Sequence, residues 1–172
     1  SSLARETPYE YDFHLLADNQ TINAFALPGG QCFITFALLS KLENEDQLAG
    51  VMGHEIGHVL GRHSAERIAN QEFWNTVAQG AQVGMEAGQM AQAVGQMVNM
   101  KYGREDELES DYLGVKFMID AGYNPEEMIG VMEILREAAG PNRVPKFQST
   151  HPDPENRIEK IREAIRKYKK AS

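Results

Sequence analysis

The first part of the chain alternates apolar and polar positions in short runs, and then the rhythm changes. Residues 9–17 and 22–27 read as strands, and Pro28-Gly29-Gly30 turns the chain into a third strand over 31–37. Beyond that point the apolar spacing is helical and predicts helices over about 45–60, 64–78, 105–120, 125–138 and 154–169. Strands followed by helices make an α+β, mainly helical chain. We expect one domain over 1–172, with a small antiparallel sheet in 1–37 and a helical part in 44–172.

The segment 45–60 has the clearest signals. Asn44, followed three residues later by Gln47, is a capping-box start, and Leu48, Val51, Met52, Ile56, Val59 and Leu60 then recur at helical spacing until Gly61. The helix is apolar nearly all round, which predicts burial. A second stripe runs through Gly50, Gly53, Gly57 and Gly61. Each interior glycine costs about 1 kcal/mol relative to alanine, so four of them imply a neighbouring backbone packed close, expected to be the element that brings further ligands.

On this helix stands His54-Glu55-Ile56-Gly57-His58. Imidazoles four residues apart lie about 40° apart around the axis and reach one metal ion, while the intervening Glu55, about 100° from His54, leans toward the water beside it. Left unpaired in a buried helix, these groups would be expensive. The layout is that of a zinc hydrolase holding one ion per chain.

Composition narrows the partners. The net charge of -8 disfavours nucleic acid, although the last helix is locally basic from Arg157 to Lys170. Cys32 is the lone cysteine, so no internal disulfide forms, and its apolar strand suits a buried hydrophobe better than a nucleophile. No run of 18 apolar residues is present, so no transmembrane span is expected, and peripheral membrane association stays open. No signal peptide precedes Ser1, which leaves an upstream targeting or anchoring segment open. Nothing in the pattern specifies an oligomer.

Catalytic zinc usually takes three protein ligands. His63 follows Gly61 in a near copy of the metzincin H-E-x-x-H-x-x-G-x-x-H, but it comes one residue early, with Ser64 in the expected place. An exposed helix-end histidine is the plainer reading of it. The stronger candidate lies in Glu105-Asp106-Glu107-Leu108-Glu109-Ser110-Asp111. Glu107 and Asp111 share a helix face, so one can bind metal while the other accepts the free N–H of a ligating histidine. Glu107 is the expected ligand, with Glu105 and Glu109 as surface carboxylates.

Taken in order, His54-Glu55-Ile56-Gly57-His58, then Glu107-Leu108-Glu109-Ser110-Asp111, then Ser149-Thr150-His151-Pro152 with Arg157-Ile158 resemble the gluzincin peptidases that include the CaaX prenyl proteases, HtpX, the mitochondrial Oma protease and BepA. Asn23 to Gly30 resembles that family's edge strand and turn, and the likeness covers about residues 20–165. It implies a zincin-like fold, Zn(2+) on His54, His58 and Glu107, Glu55 as general base, Asp111 in support, and protein or peptide substrates, unfolded or misassembled. It also implies a bacterial periplasm or cell envelope. Asn23, Ala24, Phe25 and Ala26 are expected to pair with an extended substrate, with a plain internal hairpin strand as the equal alternative.

Integral-membrane relatives carry a transmembrane hairpin between the pentad and the third ligand. Here residues 75–100 are rich in Gln, Gly and Ala and cannot span a bilayer, so the chain resembles the soluble BepA-like branch. That stretch is expected as a flexible helix or lid, and Met85, Met90, Met97 and Met100 either pack it or offer an adaptable surface. His151 sits in a proline-punctuated loop before a helix capped by Asp153. The resemblance makes it a fourth zinc ligand in a resting state, so that activity requires the loop to move; otherwise it hydrogen-bonds the tetrahedral oxyanion. Arg157 is a second oxyanion or substrate candidate. The expected chemistry is peptide hydrolysis by zinc-activated water, with Glu55 taking the proton and returning it to the leaving amine. The rival is a zinc-closed scaffold that holds unfolded clients without cutting them.

Overall fold

The computed structural model describes residues 9–64, 95–140, 144–153 and 156–171. Three strands, β1 (Asp12–Leu16), β2 (Ala24–Leu27) and β3 (Gln31–Thr35), form one sheet in the order β1-β3-β2. The helices are α1 (Phe36–Leu39), α2 (Glu45–Leu60), α3 (Arg104–Asp120), α4 (Glu127–Ala138), α5 (Lys146–Thr150) and α6 (Arg157–Ala171). A small sheet followed by helices is the α+β class that the residue pattern predicts.

The pairing inside the sheet differs from the expected all-antiparallel one. β2 and β3 form an antiparallel hairpin with Ala24 opposite Ile34, but β1 runs parallel to β3 with Asp12 opposite Gln31. The tight turn seats β2 on one edge of β3 and leaves the other edge to β1. Residues 17–23 need only step across the end of β3, and Asp18 shapes that step. Its carboxylate accepts the N–H groups of Gln20 and Thr21 at 2.9 Å, and its carbonyl accepts Ala37 N–H at 2.9 Å.

Local chemistry moves several boundaries. Thr35 ends β3 and caps α1, its hydroxyl accepting Leu38 N–H at 3.3 Å, so the strand predicted to 37 turns helical at 36. Asn44 caps α2 as expected, accepting Gln47 N–H at 2.8 Å. Gln47 itself reaches Glu43 N–H at 2.8 Å and Glu127 at 3.0 Å, tying the helix start to α4. α6 begins at Arg157 rather than after a cap at Asp153, whose carboxylate is taken by Arg136 at 2.7 and 2.9 Å. Beyond Ser64 the expected helix over 64–78, and Met85 and Met90 with most of 75–100, lie outside the described residues.

α2 lies against the hairpin on one side and against α3 and α4 on the other, with α6 closing over α3. Its glycine stripe has named neighbours. A Cβ at Gly53 would sit 3.3 Å from the Cα of Gly114, and one at Gly57 would sit 2.7 Å from the carbonyl oxygen and 2.8 Å from the Cα of Ser110. Gly50 faces the Cα of Met128 on α4 at 3.4 Å. The close neighbour at Gly53 and Gly57 is therefore α3.

Gly57→Ala is expected to destabilise the domain. A backbone in the way cannot rotate aside, so overpacking of about 1–3 kcal/mol falls toward its upper end and exceeds the gain in helix propensity of about 1 kcal/mol. Denaturant unfolding reads the effect, and an unchanged midpoint would contradict the contact.

Candidate metal centre

α2 presents His54 and His58 on the side where α3 approaches, and α3 answers with Glu107 and Asp111 one turn apart. The Nε2 atoms of His54 and His58 are 3.0 Å apart. Glu107 straddles them, Oε1 at 3.1 Å from His58 Nε2 and Oε2 at 3.4 Å from His54 Nε2. His151 Nδ1 lies 3.3 Å from His54 Nε2 and 3.0 Å from Glu107 Oε1. One donor atom from each of these four buried residues lies within 4.8 Å of the others.

These spacings fit a small cation. A tetrahedral ion with bonds of roughly 2.0–2.1 Å holds its ligand atoms roughly 3.3–3.4 Å apart. Two imidazole nitrogens that face each other need a proton or a cation between them. Both oxygens of Glu55 are buried without a hydrogen bond, and Glu107 Oε2 has only ion-pair contacts, a state that buried polar atoms seldom tolerate. The residues therefore suit one metal ion. Glu55 stands beside the group, its Oε1 3.6 Å from His151 Nε2.

His151 is not a surface-loop histidine. It is 1% exposed and directly follows α5, a short helix in the stretch expected as loop. Phe147 N–H bonds to Ile22 carbonyl at 3.0 Å, which pins α5 beside β2, and the Phe147 and His151 rings stack at 4.3 Å. The residue thus reaches the cluster through a second docked element rather than through α2 or α3.

Behind His54, Nδ1 meets Asp111 Oδ1 at 2.8 Å, and Asp111 accepts from Arg157 Nε at 2.6 Å and Nη2 at 2.9 Å. Arg157 Nη2 also lies 3.2 Å from Glu107 Oε2. Arg157 is 1% exposed. The expected oxyanion or substrate contact of Arg157 gives way to a structural one, because its guanidinium is committed to two carboxylates.

His63 takes neither expected role. It is not in the four-donor set, and it is not exposed: its Nδ1 lies 3.0 Å from His58 Nδ1, on the side of that ring turned away from the cluster. Its Nε2 meets Glu109 Oε2 at 3.2 Å, so Glu109 is more than a surface carboxylate. Glu105 is exposed as expected, and Asp106 accepts Gly103 N–H at 2.8 Å to cap α3.

The sequence profile of peptidase family M48 matches residues 1–165. The chain belongs to peptidase family M48. Mitochondrial metalloendopeptidase OMA1 of Schizosaccharomyces pombe is 33% identical over 157 residues, covering 90% of this chain and 46% of that protein. The β-barrel assembly-enhancing protease of Escherichia coli K12 is 32% identical over 166 residues, covering 89% and 34%. OMA1 of Arabidopsis thaliana is 28% identical over 151 residues, covering 87% and 31%. The chain thus spans from about a third to about half of these relatives. Family and buried donor cluster together identify an M48 metallopeptidase domain. Among the described residues, no helix is long and apolar enough to cross a membrane.

The electrostatics of this M48 site favour added positive charge. Burial opposes protonation of His54, but Glu107 and Asp111 outweigh it and raise the imidazole pKa to about 10. Burial also opposes ionisation of Glu107 and Asp111, yet His151 and His54 hold Glu107 well below the usual carboxyl range, and Arg157 with His54 lowers Asp111. His58 goes the other way, its pKa lowered chiefly by burial. Glu55 is raised, again chiefly by burial. Burial likewise lifts the Cys32 thiol to about 12, in keeping with a packed side chain rather than a nucleophile.

Tyr102 is a site residue that sequence reasoning missed. Its ring stacks on His58 at 3.7 Å, its hydroxyl lies 2.8 Å from Ser64 Oγ, and its N–H donates to Thr150 carbonyl at 2.9 Å. No local pattern marks it, since its position depends on α5 and α2 meeting.

Arg157→Met is expected to cost about 3–5 kcal/mol, the range for removing one partner of a buried ion pair. Equilibrium unfolding checks this, and a loss below about 1 kcal/mol, as for an exposed pair, would contradict the buried assignment.

Proposed function

We infer that this domain is a zinc-dependent endopeptidase that cuts unfolded or misassembled proteins. The observation that carries the reading is the convergence of His54 Nε2, His58 Nε2, the Glu107 carboxylate and His151 Nδ1 in a buried group, with the Glu55 carboxylate alongside it and free of hydrogen bonds. His54, His58 and Glu107 would hold the ion, one per chain. Bound there, zinc supplies Lewis acidity, acidifying water and polarising the scissile carbonyl.

The remaining steps belong to the chain's own groups. Glu55, free of hydrogen bonds, accepts the proton from the attacking water and returns it to the leaving amine. Asp111 holds His54 in the tautomer with its proton on Nδ1, and Arg157 neutralises Asp111 from behind. Both act by positioning.

Substrate backbone is read by β2, an edge of the sheet. Thr35 N–H to Asn23 carbonyl and Gly30 N–H to Leu27 carbonyl, at 3.0 and 3.2 Å, place Asn23, Phe25 and Leu27 toward β3. The amide groups of Ala24 and Ala26 then point to the other edge of β2, and because Ala24 is fully buried and Ala26 nearly so, an extended peptide pairs there only once that edge is uncovered. Cys32, opposite Ala26, feels the charge of Glu55, which supports a hairpin lying over the catalytic helix. Asn23 Oδ1 is buried with no hydrogen-bond partner and suits a substrate amide.

His151 completes the donor set from α5 and would close the resting site. That observation also favours a second reading, a metal-closed scaffold that binds clients without cutting them. The relatives' names divide between mitochondria and β-barrel assembly, and the assignment to misassembled substrates and the bacterial envelope draws on the second group.

Incubation of the zinc-loaded chain with unfolded casein, with and without chelator, separates the readings. Chelator-sensitive fragments are expected; client binding without fragments, in the parent and in His151→Ala, would establish the scaffold instead. Glu55→Gln should keep its zinc and lose about 10²–10⁴-fold in turnover, and unchanged cleavage would remove Glu55 as base. His151→Ala should raise basal cleavage, whereas lost turnover with zinc retained would make His151 an oxyanion donor.

A further inference from the structure

The donor cluster uses the Nε2 edge of His58 and leaves its Nδ1 facing the opposite way, where His63 lies 3.0 Å off. We propose that His63 is the positioning residue of His58, accepting its Nδ1–H and continuing the chain of hydrogen bonds to Glu109. This rests on the metal reading above, because the assignment of protons starts from a metal on Nε2.

With a metal on His58 Nε2, the proton arrangement between the two rings follows. Of two facing imidazole nitrogens, one must donate and the other accept. A metal at His58 Nε2 puts that ring's proton on Nδ1, so His63 Nδ1 accepts. His63 then carries its own proton on Nε2, where Glu109 Oε2 waits at 3.2 Å. Ser110 Oγ lies 3.3 Å from the same His63 Nδ1, and its hydroxyl can compete with His58 for that single lone pair. The reverse arrangement would protonate His58 Nε2 inside the cluster and leave His63 Nε2 as a bare acceptor against a carboxylate.

The backbone is shaped for this contact. Arg62 takes a left-handed φ of 57°, uncommon outside glycine, and turns His63 back beneath the last turn of α2. A Cβ at Gly61 would stand 2.3 Å from His63 Nε2, so only glycine admits the ring there. Gly57 performs the matching service on the other side by letting Ser110 approach. The rings of His58 and His63 meet nearly at right angles, 80°, with centroids 5.1 Å apart, which aims each nitrogen at the other rather than stacking the rings.

The two metal-facing histidines of α2 are thus braced differently. His54 rests on Asp111 and the buried Arg157, whereas His58 rests on the imidazole of His63, whose far end meets Glu109, a carboxylate 60% exposed. The first brace is sealed in the interior. The second runs from the cluster to the surface, so it can be altered without unpairing a buried charge.

Zinc competition against a chromophoric chelator tests the proposal. His63→Leu, which cannot accept the Nδ1–H, is expected to bind zinc about 10–100-fold more weakly. His63→Asn, whose amide oxygen stands where Nδ1 stood, should recover most of that loss, a rescue that simple space-filling would not produce. Nitrogen-15 histidine spectra of the zinc-loaded wild-type chain give a reading that needs no variant to fold: His63 should appear as the Nε2–H tautomer with a bare Nδ1. Wild-type zinc affinity in His63→Leu, or a proton on Nδ1 of His63, would overturn the brace alone. A wild-type chain that takes up no zinc would overturn the metal reading beneath it.

Discussion

Three carboxylates, those of Glu55, Glu107 and Asp111, are buried to within 1% of full enclosure, and the way the helices meet follows from having to compensate them. Withdrawing one such ion from water costs several kcal/mol even after the protein relaxes. Asp111 is met by Arg157 and His54, which is why α6 must close over α3 with a guanidinium at its first turn. Glu107 is met by imidazoles and by the second edge of the same guanidinium. Glu55 is left without a hydrogen bond. A buried carboxylate without a hydrogen bond is rare in a packed protein and marks Glu55 as the one of the three whose compensation the chain leaves incomplete.

Close approach of α2 and α3 makes the compensation geometric rather than merely electrostatic. Donor groups separated by about fifty residues in sequence fall within hydrogen-bonding distance because Gly53 meets Gly114 and Gly57 meets Ser110 with no side chain between them. The same contact sets Asp111 beside His54 and Glu109 beside His63. One packing surface therefore sets both the buried donor cluster and the groups that hydrogen-bond to it, so a change at the glycines would disturb both together.

The legible part of this protein was periodic or charged. Helical spacing and the Asn44 cap delimit α2 to the residue, and the interior glycines Gly50, Gly53 and Gly57 announce a close neighbour before any neighbour is known. The pairing of Glu107 with Asp111 on one helix face points inward for the same reason. What the residues concealed depends on turns. A strand that steps over its neighbour gives β1 a parallel partner, and a single left-handed residue, Arg62, swings His63 from the surface to the interior. Tyr102 and His151 join through α5, a five-residue helix too short to show a period. Arg157 reads from sequence as an oxyanion or substrate candidate because its partner, Asp111, is forty-six residues away and no local pattern joins them. Local pattern reports which face is buried; it does not report what the buried face touches.

Anomalous diffraction at the zinc edge from crystals of the zinc-loaded chain tests the metal centre most directly. One peak per chain is predicted, lying between His54 Nε2, His58 Nε2 and the Glu107 carboxylate at roughly 2.0–2.2 Å from each. A map with no peak there, or with its zinc bound elsewhere on the chain, would contradict a metal shared by α2 and α3.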